Sequence, residues 1–132
     1  MSYSLPIRIY YEDTDAGGIV YYANYLKFME RARSEWLRDL AIEQDQLHRE
    51  LGIIFVVRSV QIDYLKPAVF NDLLHVSVAV EELGKTHLTV SQNVTNQKQN
   101  LLCQAEIKLV CIDAQRFRPK KIPEIILQRI TT

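Results

Sequence analysis

From residue 24 to residue 40 the apolar positions recur every three to four residues. Tyr25, Phe28, Met29, Ala32, Trp36 and Leu40 fall on one stripe of a helix, and Asn24 stands ahead of them as its N-cap. The other face carries Lys27, Arg31, Ser34 and Arg38, with Glu30, Arg33 and Glu35 among them. The spacings Glu30–Arg33, Arg31–Glu35 and Glu35–Arg38 predict ion pairs along it. A second, more polar helix is predicted over 43–51, closed by Gly52. After Gly52 the period changes to two. The even positions of 54–66, Ile54, Val56, Arg58, Val60, Ile62 and Tyr64, share one face, which makes Arg58 the single charge on an apolar strip. Alternation resumes in 74–82 (Leu74, Val76, Val78, Val80), in 86–95 (Leu88, Val90, Val94) and in 101–112, where odd positions from Leu101 to Cys111 align. Asn71-Asp72, Gly84-Lys85 and 96–100 are the turns between these strands. A short strand is predicted over 5–11, with Pro6 placing it at a strand start or sheet edge. A last short helix is predicted from Pro123 to Arg129.

One long helix and about five strands, four of them consecutive with short links, predict antiparallel pairing of neighbours and a two-layer α+β domain. At 132 residues, a single domain spanning 1–132 is expected, large enough for its own core. Lys+Arg and Asp+Glu balance at 16 each, so no overall field favours nucleic acid or an anionic membrane, although a local basic patch could still hold a few phosphates. No apolar run approaches the length of a membrane span, and the first residues lack the basic and apolar regions of a secretion signal, so no membrane insertion is expected. Cys103 and Cys111 are not spaced as a Cys-x-x-Cys pair. Reduced thiols and a cytoplasmic location are expected.

The chemistry concentrates in residues 10–36. Glu12, Asp13 and Asp15 precede two adjacent glycines, Gly17 and Gly18, and the start of the long helix. A carboxylate and a glycine turn beside a helix N-terminus suit attack on a carbonyl, because unpaired N–H groups there favour developing negative charge. Asp13-x-Asp15 begins like a calcium loop, but Gly17 and Asn24 occupy positions where such a loop needs ligands. His48, His75 and His87 lie on different elements without ligand spacing, so neither a metal nor any other cofactor is expected. No nucleotide-binding glycine motif and no nucleophile elbow occurs.

The run from Glu12 to Tyr21, followed by Ala23-Asn24-Tyr25 and Phe28 to Arg33, closely resembles the YbgC-like acyl-CoA thioesterases, which belong with the 4-hydroxybenzoyl-CoA thioesterases. The likeness continues through 55–58, Tyr64 to Ala68, Ala105-Glu106 and 110–113. It implies a hotdog fold, an antiparallel five-stranded sheet wrapped around one long helix. It also implies homodimers joined edge to edge, commonly paired into homotetramers, with active sites at subunit interfaces. Asp15 matches the family's catalytic carboxylate, nucleophile or general base, and the main-chain N–H of Tyr22 matches the group that polarises the thioester carbonyl. Many YbgC-like members carry His where this chain has Tyr22; the backbone role survives that change, a side-chain proton-transfer role does not. The turn with Gly84, Lys85 and Thr86 lies where related enzymes meet the nucleotide phosphates of coenzyme A, and Arg58 is the other basic residue expected to bind substrate. Acyl-CoA hydrolysis is the activity implied. An aromatic 4-hydroxybenzoyl-CoA-type substrate, or a mainly non-catalytic role binding acyl carrier protein or phospholipid-synthesis enzymes, are the alternatives.

Overall fold

The computed structural model describes residues 3–131; the very start of the stretch read for a secretion signal lies outside them. Its strands are β1 (Tyr3–Arg8), β2 (Ile53–Tyr64), β3 (Leu73–Leu83), β4 (His87–Thr95) and β5 (Leu101–Asp113). They form one antiparallel sheet in the order β1-β3-β4-β5-β2. The helices are α1 (Asn24–Asp39), α2 (Gln44–Gln46, running on through Leu47–Leu51) and α3 (Glu124–Thr131).

The stripe on α1 is buried as its periodicity requires: Tyr25, Phe28, Met29, Ala32 and Trp36 all face the sheet, joined by Leu37, while Leu40 is only half-buried. Opposite them lie Leu74, Val76 and Val78 of β3, Leu88, Val90 and Val94 of β4, and Cys103, Ile107 and Cys111 of β5. This is the hotdog arrangement of one long helix on one antiparallel sheet. Burial pushes the Cys103 thiol up to about 12 and the Cys111 thiol up to about 11, so both are protonated packing groups at neutral pH. Ile42, Ile122 and Ile126 close the core at the far end of the sheet.

Several expectations fail for identifiable reasons. Asn24 does not cap α1; Ala23 holds that position, and the Asn24 amide instead donates to the Asp13 carbonyl at 2.9 Å. The first strand ends at Arg8, because the Ile9 N–H turns to the Asp72 carbonyl and Tyr11–Asp13 coil into one tight turn. β2 and β3 are consecutive but not paired: β2 adds to the outside of β5, and residues 65–72 cross the end of the sheet to reach β3. Of the ion pairs expected on α1, Glu35–Arg38 forms, and Arg38 also reaches Glu43. Arg33 turns inward instead, and Arg31 lies over the Phe28 ring.

The common face predicted for the even residues of β2 is also broken. A bulge falls between Val57 and Ser59, so that Val57 opposes Leu109 and Ser59 opposes Lys108, leaving Arg58 as the extra residue. Phe55 and Val57 before the bulge, and Val60, Ile62 and Tyr64 after it, therefore share the helix-side face, while Ile54 and Val56 turn to the other side. Arg58 is exposed and is not the one charge on an apolar face.

Candidate active site

The crossing segment 65–72 assembles the acidic turn against the start of α1. The Leu65 and Lys66 N–H groups both donate to the Leu102 carbonyl, and the Ala68 N–H donates to the buried Tyr25 hydroxyl at 3.1 Å. In return the Ala68 carbonyl accepts from Val20 at 2.9 Å, and Ile19 bridges to Val69. Residues 14–20 thus form a small loop closed by the Thr14–Val20 bridge and by the Asp15 N–H donating to Ile19. Gly18 turns that loop with φ +81°, a left-handed conformation that side chains resist.

Asp15 is exposed on this loop. Its Oδ1 accepts the Gly17 N–H at 2.8 Å, which orients the carboxylate and leaves Oδ2 without a hydrogen bond among the described residues. Tyr22 follows two residues after the loop closes, just ahead of α1. Its neighbours' amides are engaged, Tyr21 with the Asp13 carbonyl and Asn24 with the Tyr21 carbonyl. The Tyr22 N–H makes no hydrogen bond among the described residues and lies at the positive end of α1.

Around Tyr22 the tyrosines form a cluster that periodicity alone reads as apolar filling. The Tyr22 ring meets Tyr64 edge-on at 6.1 Å, and Tyr64 meets Tyr25 at 5.5 Å. The Tyr64 hydroxyl donates to the Tyr22 carbonyl at 3.1 Å. Burial raises the pKa of both Tyr25 and Tyr64 above the ordinary phenol value, which keeps Tyr64 a donor. The signal available in the sequence is that Tyr, rather than Phe, at an inward position needs a partner for its hydroxyl. An open cleft of about 270 Å³ lies here, between Tyr22, Tyr25 and Tyr64 on one side and Ile19, Leu65 and Pro67 on the other.

A second polar feature lies under the middle of α1. Gln92 on β4 is fully buried; its amide donates to the Met29 carbonyl at 3.0 Å and accepts from Arg33 at 2.9 Å. Burial lowers the Arg33 pKa, with Glu30 opposing the shift.

The other predicted substrate residues are elsewhere. Lys85 is exposed in the turn between β3 and β4, and Thr86 is half-buried with its carbonyl accepting the Cys111 N–H at 2.8 Å. Gly84 is required in that turn, because a Cβ would sit 2.8 Å from Nδ1 of His87. The His87 ring is in turn held by Glu82 at 2.8 Å, which pulls the Glu82 carboxyl below its ordinary range. β3 separates this turn from the Asp15 loop. Its 11 residues at about 3.3 Å each put roughly 30 Å between them. Arg58 lies midway along β2. One chain therefore carries Asp15 on the loop that closes two residues before Tyr22, and leaves Lys85, Thr86 and Arg58 on other elements.

Residues 17–103 match the model of the thioesterase superfamily, a span that includes Tyr22, Arg58, Lys85 and Thr86 and begins two residues after Asp15. The chain is 40% identical over 122 residues to the acyl-CoA thioester hydrolase YbgC of Escherichia coli O6:H1, covering 92% of this chain and 90% of that protein. It is 41% identical to the acyl-CoA thioesterase YbgC of Haemophilus influenzae, over 92% of this chain and 89% of that protein. Among solved structures, a probable thioesterase from Bartonella henselae superposes with a TM-score of 0.88 at 29% identity, over 93% of this chain and all of that one.

Proposed function

We propose, for a chain that belongs to the thioesterase superfamily and within it to the YbgC-like acyl-CoA thioesterases, that Asp15 and the Tyr22 N–H carry the chemistry. Membership makes the protein an acyl-CoA thioester hydrolase. The observation that carries the finer reading is the Tyr22 N–H at the head of α1, without a hydrogen bond among the described residues, just after the loop whose Asp15 carboxylate is held by Gly17.

In this reading the thioester carbonyl oxygen lies against the Tyr22 N–H and the positive end of α1, which stabilise the oxyanion as it forms. Asp15 takes a proton from a water whose oxygen attacks the carbonyl carbon. The tetrahedral intermediate then collapses with cleavage of the C–S bond, and the proton returns to the leaving thiolate, giving free acid and coenzyme A. In the nucleophilic variant Asp15 Oδ2 itself attacks the carbonyl carbon, the C–S bond breaks and coenzyme A leaves as its thiolate, and water then hydrolyses the mixed anhydride to free acid and the Asp15 carboxylate, supplying the thiolate's proton.

The site is proposed to be shared between two copies. β2 is an edge strand of 12 residues, and Val57 and Val60 on its helix-side face are 48% and 40% exposed. A long edge with exposed apolar side chains is a template for pairing with a second copy. A two-fold axis through that edge runs the two β2 strands antiparallel, setting the Ile53 end of one beside the Tyr64 end of the other. The β3–β4 turn lies at the Ile53 end, since His87 opposes Val110 of β5 and Ile54 opposes Ile112. Lys85 and Thr86 of the partner subunit are then carried toward the Tyr22 cleft. Arg58 sits in the strip the two copies share, available to either. A dimer, or a tetramer of two such dimers, is thus the working unit. We place its activity in the cytoplasm, where acyl-CoA substrates are made; no helix among the described residues is long and apolar enough to cross a membrane.

The test is hydrolysis of short-chain, long-chain and aromatic acyl-CoAs by wild type and Asp15→Asn. Turnover lost in the variant supports the mechanism; equal, feeble rates from both remove Asp15 from it.

A further inference from the structure

We infer that Asp72 and Gln97 are positioning residues for the reaction: their side chains latch segment 65–72 and, through it, hold the loop that presents Asp15. The inference rests on the catalytic reading above and extends it to two residues outside the cleft.

Asp72 is buried, 8% exposed, where the crossing segment passes into β3. A buried carboxylate must find donors, and two converge on this one. The Val69 N–H donates to its Oδ2 at 2.9 Å, and the Gln97 amide donates to its Oδ1 at 3.0 Å. The main chain of Asp72 is engaged as well: its N–H donates to the Val69 carbonyl at 3.1 Å, and its carbonyl accepts the Ile9 N–H at 2.9 Å. Gln97 reaches this point from the loop between β4 and β5, 25 positions away. It makes a second bond there, its Oε1 accepting the Leu73 N–H at 3.0 Å. That loop is itself fixed, because the Asn96 Oδ1 accepts the Lys98 and Asn100 N–H groups, each at 3.0 Å.

At Val69 the segment meets the Asp15 loop. Val69 stands opposite Ile19 in an antiparallel bridge, and the Ile19 carbonyl accepts the Asp15 N–H at 2.9 Å. Gln97, Asp72, Val69, Ile19 and Asp15 are thus joined in series, each link a hydrogen bond or a bridge. Asp15 is exposed and takes its side-chain orientation from the Gly17 N–H on its own loop. Its place relative to the Tyr22 N–H is therefore set by the backbone that carries it, and that backbone leans on the latch. A base or nucleophile displaced by a fraction of an ångström loses rate more than it loses substrate.

The polarity of the latch gives the test. Asp72→Asn sets a new amide against that of Gln97, and Gln97→Glu sets two carboxylates together, so each breaks the Oδ1 bond. Combined, they rebuild it in reverse. The amide introduced at 72 donates to the carboxylate introduced at 97, which still accepts the Leu73 N–H, while the remaining oxygen at 72 still accepts the Val69 N–H. Wild type, the two single variants and the double variant are compared for acyl-CoA hydrolysis and for amide hydrogen exchange, well below their melting temperatures. In either single variant kcat should fall about ten-fold, KM should change less, and the Asp15 and Val20 amides should exchange faster. The double variant should return each to within about two-fold of wild type. Gln97→Ala, on an exposed loop, should move both readouts in the same direction without adding a charge. A kcat at the wild-type value in the single variants, a double variant no better than its parents, or a loss confined to melting temperature overturns the proposal. In an Asp15→Asn background the latch variants should not lower the residual rate further, and an equal fall there also overturns it. Exchange that follows the cycle in a protein whose rate is indifferent to Asp15→Asn would instead overturn the catalytic reading and leave the latch standing.

Discussion

The Tyr64 hydroxyl, at the last residue of β2, donates to the Tyr22 carbonyl at 3.1 Å, tying the edge strand to the peptide next to the proposed oxyanion donor. In the proposed mechanism Tyr64 acts through this hydrogen bond, as a positioning residue. Tyr64→Phe keeps the ring contacts and removes one hydrogen bond, worth about 1 kcal/mol. The expected result is a several-fold fall in kcat with KM nearly unchanged. A change confined to thermal stability would give Tyr64 a structural role only.

Asp15→Asn separates geometry from chemistry. The Asn carbonyl oxygen can still accept the Gly17 N–H, so the loop and the melting temperature should be retained. Turnover should fall by about two orders of magnitude or more once the carboxylate is gone. Circular dichroism and initial rates on one preparation check both halves.

The β2 edge can be tested by oligomeric state. Val60→Glu sets a charge on the exposed helix-side face of an edge strand, a position where charge blocks strand pairing. Light scattering during gel filtration should show a shift from dimer or tetramer to monomer, with loss of activity. An unshifted mass would move the interface elsewhere.

Gly84→Ala should destabilise the protein by about 1–3 kcal/mol, because its Cβ must displace the His87 ring from a packed position. Calorimetry measures the loss. His87→Ala in the same background should recover part of it, since the obstructing ring is then absent.

Asp113 supplies a pH dependence. Its Oδ1 accepts the Gln115 and Arg116 N–H groups at 2.9 and 3.0 Å, and these bonds hold its pKa below the ordinary aspartate value. A depressed folded-state pKa contributes stability that is fully present above the unfolded pKa of about 3.9, and that is lost as pH falls through the lower folded value. Melting temperatures of wild type and Asp113→Asn should therefore differ at pH 6 and converge toward pH 2. A gap that stays constant would exclude the linkage.

Local patterning in the sequence determined the elements: the buried stripe of α1, the alternation in β3, β4 and β5, and the turns at Asn71-Asp72 and 96–100 are consequences of helical and pleated periods acting over a few residues. The acidic glycine loop before α1 was legible from its turn residues. Tertiary structure decided what depends on a distant partner. The bulge at Arg58 reverses which residues of β2 face the helix, and it is set by registry with β5, some fifty residues later in the chain. Arg33 abandons its neighbour on the helix for Gln92, 59 positions away, because a buried amide must find its hydrogen bonds. β2 leaves β3 for the outer edge of β5, so segment 65–72 must cross the end of the sheet, where it packs against the Asp15 loop. Period and propensity act along the chain, whereas registry, edge and distance are settled by which surfaces pack together.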